Sequence, residues 1–350
     1  MFRHSPQHGF VVVSLEQKRA GTIFTQPSRE QRDGSEMRQG SRQKQYHENV
    51  QSVIDEMGVE DPREAIRLKM RNKIAEISSL FGEPPYDLIA FASCVGLQWS
   101  DESPAFSNDS EIAPIAGGRM VLRVNQERPL TRQRFSIAHE IGHTLFPDYQ
   151  YSVRCRKANE KRWSDDDLLE SLCDVAASEL MFPTPWFTEK LTSLDYTGVS
   201  LLKLADDCLA SREATVRRIV ELSQMPLAAV YFSWKHKPIE LRALKRRKTQ
   251  TSLFPELEPP PPTPMLRVDY SILNEAFRRN FADHIPEHKS VPSDGLIFDT
   301  SLRKVPGEGH IDLDLGPLKG RFYVVVLPIF TELSDSANSS VVVLIHPSNM

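Results

Sequence analysis

The pentapeptide His139-Glu140-Ile141-Gly142-His143 constrains this chain more than any other feature. It lies within RQRFSIAHEIGHTLF, Arg132 to Phe146, where Phe135, Ile137, Leu145 and Phe146 supply an apolar face. Thr131 is the expected N-cap of this helix and Pro147 its terminator. Four helical residues turn through about 400°, so the two imidazoles stand one turn apart on one face. Both can then reach a single zinc ion at about 2.0–2.1 Å. Glu140 is displaced by about 100° around the axis, which sets its carboxylate beside an open coordination position rather than on it. There it can take a proton from metal-bound water and pass it to a leaving amine.

A catalytic zinc site needs a third protein ligand. The next helix opens on Ser164 and three aspartates, a hydroxyl cap followed by carboxylates at the positive end of the helix dipole, and runs to about Phe182 before Pro183 and Pro185. Glu170 on that helix is the best candidate ligand. Asp174, one turn further on the same face, is placed to accept the second N–H of a metal-bound histidine and fix its tautomer. Ala176, Ala177 and Ser178 are small enough to let the two helices approach closely. Cys155, in a stretch that reads as loop from Asp148 to Asn159, is a rival third ligand. Cys173 is expected in the core, facing away from Asp174. Tyr149 and Tyr151 read as surface tyrosines, and His4, His8, His47, His236, His284, His288, His310 and His346 show no ligand spacing among themselves. One zinc per chain is expected, although Mn and Fe also suit two histidines and a carboxylate.

RQRFSIAHEIGHTLF and the downstream ESLCDVAASELMFP, Glu170 to Pro183, together resemble the two core motifs of the ImmA/IrrE family of metallopeptidases. The strand that ends in Asn125 belongs to the same resemblance, which covers about Tyr46 to Leu222. It implies a compact gluzincin-like peptidase with His139, His143 and Glu170 as ligands and Glu140 as catalytic base. It also implies that the strand before the metal helix offers an edge to an extended substrate by β-augmentation. Family members act on helix-turn-helix repressors of the same cell after stress or in mobile elements, and some form toxin–antitoxin-like pairs. Phe182 stands where methionine is commoner in the family, a departure that touches no chemistry.

The 350 residues are 40% hydrophobic and 26% charged, with a formal net charge of -4. That is the composition of an ordinary globular chain with room for several domains, and its acidic balance argues against whole-chain nucleic-acid binding. Four scattered cysteines and no apolar run of about 18 residues point to a reduced, cytoplasmic protein without a membrane span. The expected fold is α+β: a mostly helical peptidase with a small β-sheet, a helix-turn-helix-like subdomain and a small C-terminal α/β module. The corresponding divisions are a poorly ordered extension over 1–48, with a strand pair in Phe10 to Phe24, and a peptidase over 49–195. A helix-turn-helix-like subdomain over 196–250, a Pro-rich linker over 251–265 and a C-terminal, sensory-type module over 266–350 complete the chain.

Within the peptidase, Ile66, Met70, Ile74 and Ile77 mark one helix face, Leu88 to Val95 forms a second apolar segment, and Arg119 to Asn125 alternates as a strand. LLKLADDCLASREATVRRIVELS, Leu201 to Ser223, has a helix-turn-helix cadence, with Ser211 opening the second helix and Arg217, Arg218 and Glu221 on its exposed side. From Ser200 to Gln250 there are eleven Lys or Arg against five Asp or Glu. A basic patch alone is nonspecific, so packing on the peptidase is favoured over DNA binding. A short strand at Ala228 to Trp234 leads into a basic tail, Arg242 to Lys248. The C-terminal module is expected to hold a helix near Asp269 to Phe281 and strands at Arg321 to Leu327 and Val341 to Ile345.

The leading expectation is a zinc endopeptidase in which zinc-bound water, assisted by Glu140, attacks a protein substrate such as a helix-turn-helix repressor. The alternatives are a DNA-binding or sensory regulator that keeps the peptidase fold as scaffold, and a toxin-like member of a protein pair.

Overall fold

A computed structural model describes residues 48–102, 108–149, 154–157, 165–249, 260–329 and 339–347. The expectations for residues 1–47, the capping role of Ser164 and most of the Pro-rich linker lie outside these residues.

The chain enters through α1 (Glu48–Met57) and α2 (Pro62–Ile77). Asp61 caps α2 by accepting from the Arg63 amide, and Pro62 occupies the first turn, where its missing N–H costs nothing. Ala65, Ile66, Met70 and Ile74 form the buried face that their spacing predicts. Asp87 caps α3 (Leu88–Cys94) through the amides of Ile89 and Ala90.

A four-stranded sheet comes next, built from β1 (Leu97–Trp99), β2 (Asn108–Ile115), β3 (Arg119–Val124) and β4 (Arg154–Lys157) in the order β1-β3-β2-β4. Gly117 and Gly118, with φ of 86° and 73°, turn the chain between β2 and β3 in a region that side chains rarely adopt. β3, the strand before the metal helix, pairs with β1 on one side and β2 on the other. It therefore offers no free edge, contrary to the expectation from resemblance; the outer strands are β1 and β4. The segment expected as a loop around Cys155 supplies β4, with Cys155 opposite Glu111.

The sequence hides β2 because Asp109, Ser110 and Glu111 are polar and consecutive, yet all three are buried. Each has a partner. Asp109 takes ion pairs from Arg128 at 2.9 Å and Arg132, Glu111 meets Arg123 at 3.2 Å, and Ser110 faces the metal helix.

That helix, α4 (Leu130–His143), starts two residues earlier than expected, with Pro129 at the cap position and Thr131 inside the first turn. It is followed by α5 (Asp165–Met181), α6 (Thr184–Thr192), α7 (Gly198–Asp207) and α8 (Arg212–Leu222). Ser211 caps α8 by accepting from the Ala214 amide.

Beyond α8, β5 (Ala228–Lys235), β6 (Met265–Leu273), β7 (Gly307–Leu315), β8 (Leu318–Ile329) and β9 (Ser340–Pro347) form an antiparallel sheet in the order β6-β5-β9-β8-β7. Successive residues of β5, β8 and β9 enter two different cores. Ala229, Tyr231, Val325, Leu327, Val342 and Leu344 join the core that contains the peptidase helices. Ala228, Val230, Val324, Val326, Val343 and Ile345 join a second core with Phe277, Ile285 and Ile297. Burial on both faces explains why these strands read as unbroken apolar runs. The sheet draws an interior strand, β5, from the 196–250 segment and its other strands from beyond the linker.

The basic tail is a helix, α9 (Pro238–Thr249). The helix expected from Asp269 begins only at Glu275, as α10 (Glu275–Asn280), because Val268, Tyr270 and Ile272 continue β6 and Asn274 then caps α10. β7 and α11 (Leu296–Arg303) have no counterpart among the elements expected from sequence.

Arg218 does not lie on an exposed side of α8. It is 1% exposed and pairs with the buried Glu179 of α5 at 2.5 Å, while Arg71 reaches the other carboxylate oxygen at 3.0 Å. Burial alone would raise the Glu179 carboxyl, but the Arg218 charge and the hydrogen bonds from Arg71 and Thr184 hold it below the ordinary range. Removing one member of such a pair strands a buried charge. Arg218→Met is expected to lower stability by about 3–5 kcal/mol in urea unfolding. An Arg218→Met/Glu179→Met double variant should recover much of that loss.

Candidate metal centre

α4 and α5 cross closely enough that a side chain at Gly142 would crowd the backbone of α5. A methyl group there would lie 3.1 Å from the Cys173 carbonyl oxygen and 3.2 Å from the Ala176 Cβ and Cys173 Cα. The glycine inside the pentapeptide thus meets the small residues of α5, and the approach sets Glu170 and Asp174 against the histidines of α4.

His139 and His143 are 2% and 1% exposed, whereas Glu170 and Asp174 are 39% and 49% exposed. Buried imidazoles therefore face carboxylates on the open side of the site. His139 Nδ1 lies 2.9 Å from Asp174 Oδ1, a contact that fixes the orientation of the ring. Glu170 Oε2 stands 3.0 Å from His139 Nε2, and Oε1 stands 3.6 Å from His143 Nε2. Two donors of a tetrahedral ion at 2.0–2.1 Å stand about 3.3 Å apart, close to each of these two separations. The donor types, two imidazoles and a carboxylate, are also ones zinc accepts.

Cys173 departs from expectation. It is buried in the core but faces the site, with Sγ 3.3 Å from His143 Nδ1. It belongs with His139 and His143 to a metal-competent group of side chains. Its sulfur meets the nitrogen of His143 opposite to the one near Glu170, so it suits orientation of that ring by hydrogen bonding. Glu140 is wholly buried; Ser110 Oγ donates to its Oε1 at 2.6 Å, and its Oε2 lies 3.9 Å from His143 Nε2. Sequence reasoning misses Ser110 because β2 shows no alternation, and misses Gly142 because it fills a variable position of the motif. The smallness of Ala176 is the available signal for the latter.

The side chain of Cys155 and all of Tyr151 fall outside the described residues. Tyr149 is half-buried against the peptidase core. Two arginines of α8 turn inward: Arg218 to Glu179, and Arg212 to the Pro328 carbonyl at 2.6 Å, while Arg217 stays exposed over the Tyr270 ring.

Residues 100–220, which run from β2 into α8, match the IrrE N-terminal-like domain, Peptidase_M78. Such a match, enclosing the two histidines and the glutamate-bearing helix, defines a metallopeptidase domain. This match and the relatives below support a metallopeptidase of the ImmA/IrrE type over that segment. The chain is 27% identical over 175 residues to the radiation response metalloprotease IrrE of Deinococcus radiodurans, covering 49% of this chain and 50% of that protein. It is 27% identical over 110 residues to the IrrE of Deinococcus deserti, covering 31% and 38%. The chain thus spans half the length of the first of these relatives and less of the second. A Mycobacterium tuberculosis transcriptional regulator covers 85% of this chain and 79% of its own at 11% identity and a TM-score of 0.49, a likeness too loose to carry an argument.

Burial opposes a charged His139, but hydrogen bonds to Asp174 and Glu170 outweigh it and push the imidazole up to about 9. A proton and a cation therefore compete for the same carboxylate. In chelator-treated protein, the stabilisation from this raised group is complete below about pH 6.5 and lost as pH rises through about 9. Thermal unfolding from about pH 6 to 10 should show that decline, and saturating zinc should flatten it. Gly142→Ala should lower stability by about 1–3 kcal/mol through overpacking and weaken metal retention in the same protein.

Proposed function

We propose that this chain is a zinc-dependent endopeptidase that cleaves a protein substrate in the cytoplasm. The observation that carries the reading is the convergence of both Glu170 oxygens on the Nε2 atoms of His139 and His143. In this reading His139, His143 and Glu170 hold the ion, and Asp174 fixes the His139 tautomer. A bound zinc would polarise the scissile carbonyl and increase the acidity of water.

Glu140 is the proton carrier. Ser110 holds Oε1, which leaves Oε2 as the oxygen on the His143 side. From that position the carboxylate takes a proton from the attacking water and returns it to the leaving amine. Burial of the whole Glu140 side chain excludes competing solvent and keeps the carboxylate in one orientation. β4, beside the strand that carries Ser110, is the sheet edge along which an extended substrate would add.

The fold is read as gluzincin-like, with α7 and α8 as a helix-turn-helix-like subdomain packed on the peptidase. The inward Arg212 and Arg218 support that packing role over DNA binding. The family resemblance and the radiation-response relatives support a transcriptional repressor as substrate in a stress response.

The test pairs elemental analysis with cleavage. Wild type purified without chelator should carry about one zinc per chain, and Glu170→Ala far less. Glu140→Gln should keep the metal and the fold while cleavage falls by at least about 100-fold. Cleavage unchanged in Glu140→Gln, or wild type that refuses zinc, would overturn the reading.

A further inference from the structure

A second site lies away from the metal centre, where the connection between α6 and α7 meets the five-stranded sheet. His310 of β7, Tyr323 of β8 and His346 of β9 are register partners in one line across the sheet and share its peptidase-side face. Their rings form a ladder, with centroids 5.1 Å apart from His310 to Tyr323 and 4.7 Å from Tyr323 to His346. Tyr196 closes the group from the α6–α7 connection, 6.1 Å from His346. The rings are tilted by 39° to 79° rather than stacked, so they enclose a concave space. That space is a cavity of about 350 Å³ lined also by Leu194, Asp195 and Pro347.

One atom of this cage is unexplained by the fold. His346 is 9% exposed, and its Nδ1–H donates to the Pro347 carbonyl at 3.1 Å. Nε2 is therefore the lone-pair nitrogen, and it is buried without a hydrogen-bond partner among the described residues. Burial and the neighbouring His310 lower the affinity of this ring for a second proton, so it stays an acceptor. A buried acceptor without a donor costs stability unless something is meant to fill the space.

The character of the lining identifies the donor. The lining includes no lysine or arginine; it is made of aromatic rings, the buried His346 Nε2 and the exposed Asp195 and His310 at its rim. Glu308, on the same face of β7 two residues before His310, accepts from the Gly198 amide at 2.6 Å and adds negative charge nearby. Aromatic faces beside carboxylates favour cations. A metal ion shared by the two histidines is excluded by distance, since two strand spacings separate them by about 9–10 Å. We propose that the cage of Tyr196, His310, Tyr323 and His346 binds an organic cation, the ammonium or guanidinium head of a lysine- or arginine-like side chain or of a small amine. The volume has room for such a head group together with the chain that carries it. This site does not rest on the peptidase reading, and its test reads no cleavage.

Isothermal titration of the full chain would use N-acetyl-lysine methylamide and N-acetyl-arginine methylamide for the side-chain source. Cadaverine and agmatine would represent free amines, and N-acetyl-norleucine methylamide is the uncharged control. One cation should bind at one site per chain, and the control should not; whichever pair binds more tightly names the source. His346→Phe, which keeps the ring and deletes the acceptor, should weaken binding about tenfold, and Tyr196→Leu at least about threefold. Equal binding of the norleucine control, no binding by any cation, or an unchanged affinity in His346→Phe would overturn the proposal. Should that variant fail to fold, imidazole ¹⁵N spectra of wild type decide instead: the His346 Nε2 resonance moves on titration, or the site is refuted.

Discussion

The contact between α4 and α5 at Gly142 is the constraint on which the rest of the structure depends. A hydrogen atom in place of a methyl lets the Cys173 backbone and Ala176 lie directly against the metal helix. At that separation Glu170 reaches the Nε2 atoms of both histidines while Asp174 reaches the Nδ1 of one. The same approach puts Cys173 Sγ against His143 Nδ1, so both imidazoles are oriented from α5. The position of one helix thus fixes three side-chain contacts at once, which is how a site on rigid elements holds its geometry.

α5 is itself held at its far end. Glu179, two turns beyond Cys173, is the buried anchor for Arg71 of α2, Arg218 of α8 and the Thr184 amide at the start of α6. Four helices therefore converge on one carboxylate. α8 in turn lies on the five-stranded sheet, where Tyr231 donates to the Glu213 carbonyl and Tyr270 stacks on Tyr231 with centroids 4.1 Å apart. A continuous path of buried contacts thus connects the metal helices to a sheet whose other face forms a second core. Arg218, one of the basic residues that suggest DNA contact in the sequence, is part of this path.

The sequence makes the metal helix, its glutamate, both histidines and the paired carboxylates of α5 legible, because helical spacing dictates which residues share a face. The capped helices α2 and α8 are legible for a related reason: Asp61 and Ser211 sit where the first turn needs an acceptor. What stays hidden depends on pairing between distant segments. β2 looks unlike a strand because Asp109, Ser110 and Glu111 are buried only through partners supplied by α4, β3 and the loop between them. Arg218 looks exposed because its partner is 39 residues earlier in the chain. The inner strands are recognisable as apolar runs, but nothing local reveals that β5 joins strands from beyond the proline-rich stretch.

Partnership of buried polar groups distinguishes the ion pairs that fasten elements together from the two sites described above. Asp109, Glu111, Glu179 and Arg218 are matched by opposite charges, and each match fastens two elements together. The metal-centre groups form a different pattern, in which carboxylate oxygens crowd the lone pairs of two imidazoles. That arrangement gains stability only when a proton or a cation sits between them. His346 repeats the pattern in miniature: its outer nitrogen is satisfied by backbone and its inner nitrogen faces a space with no donor among the described residues. In both places a buried imidazole faces a partly open space, and the proposed complement is a cation.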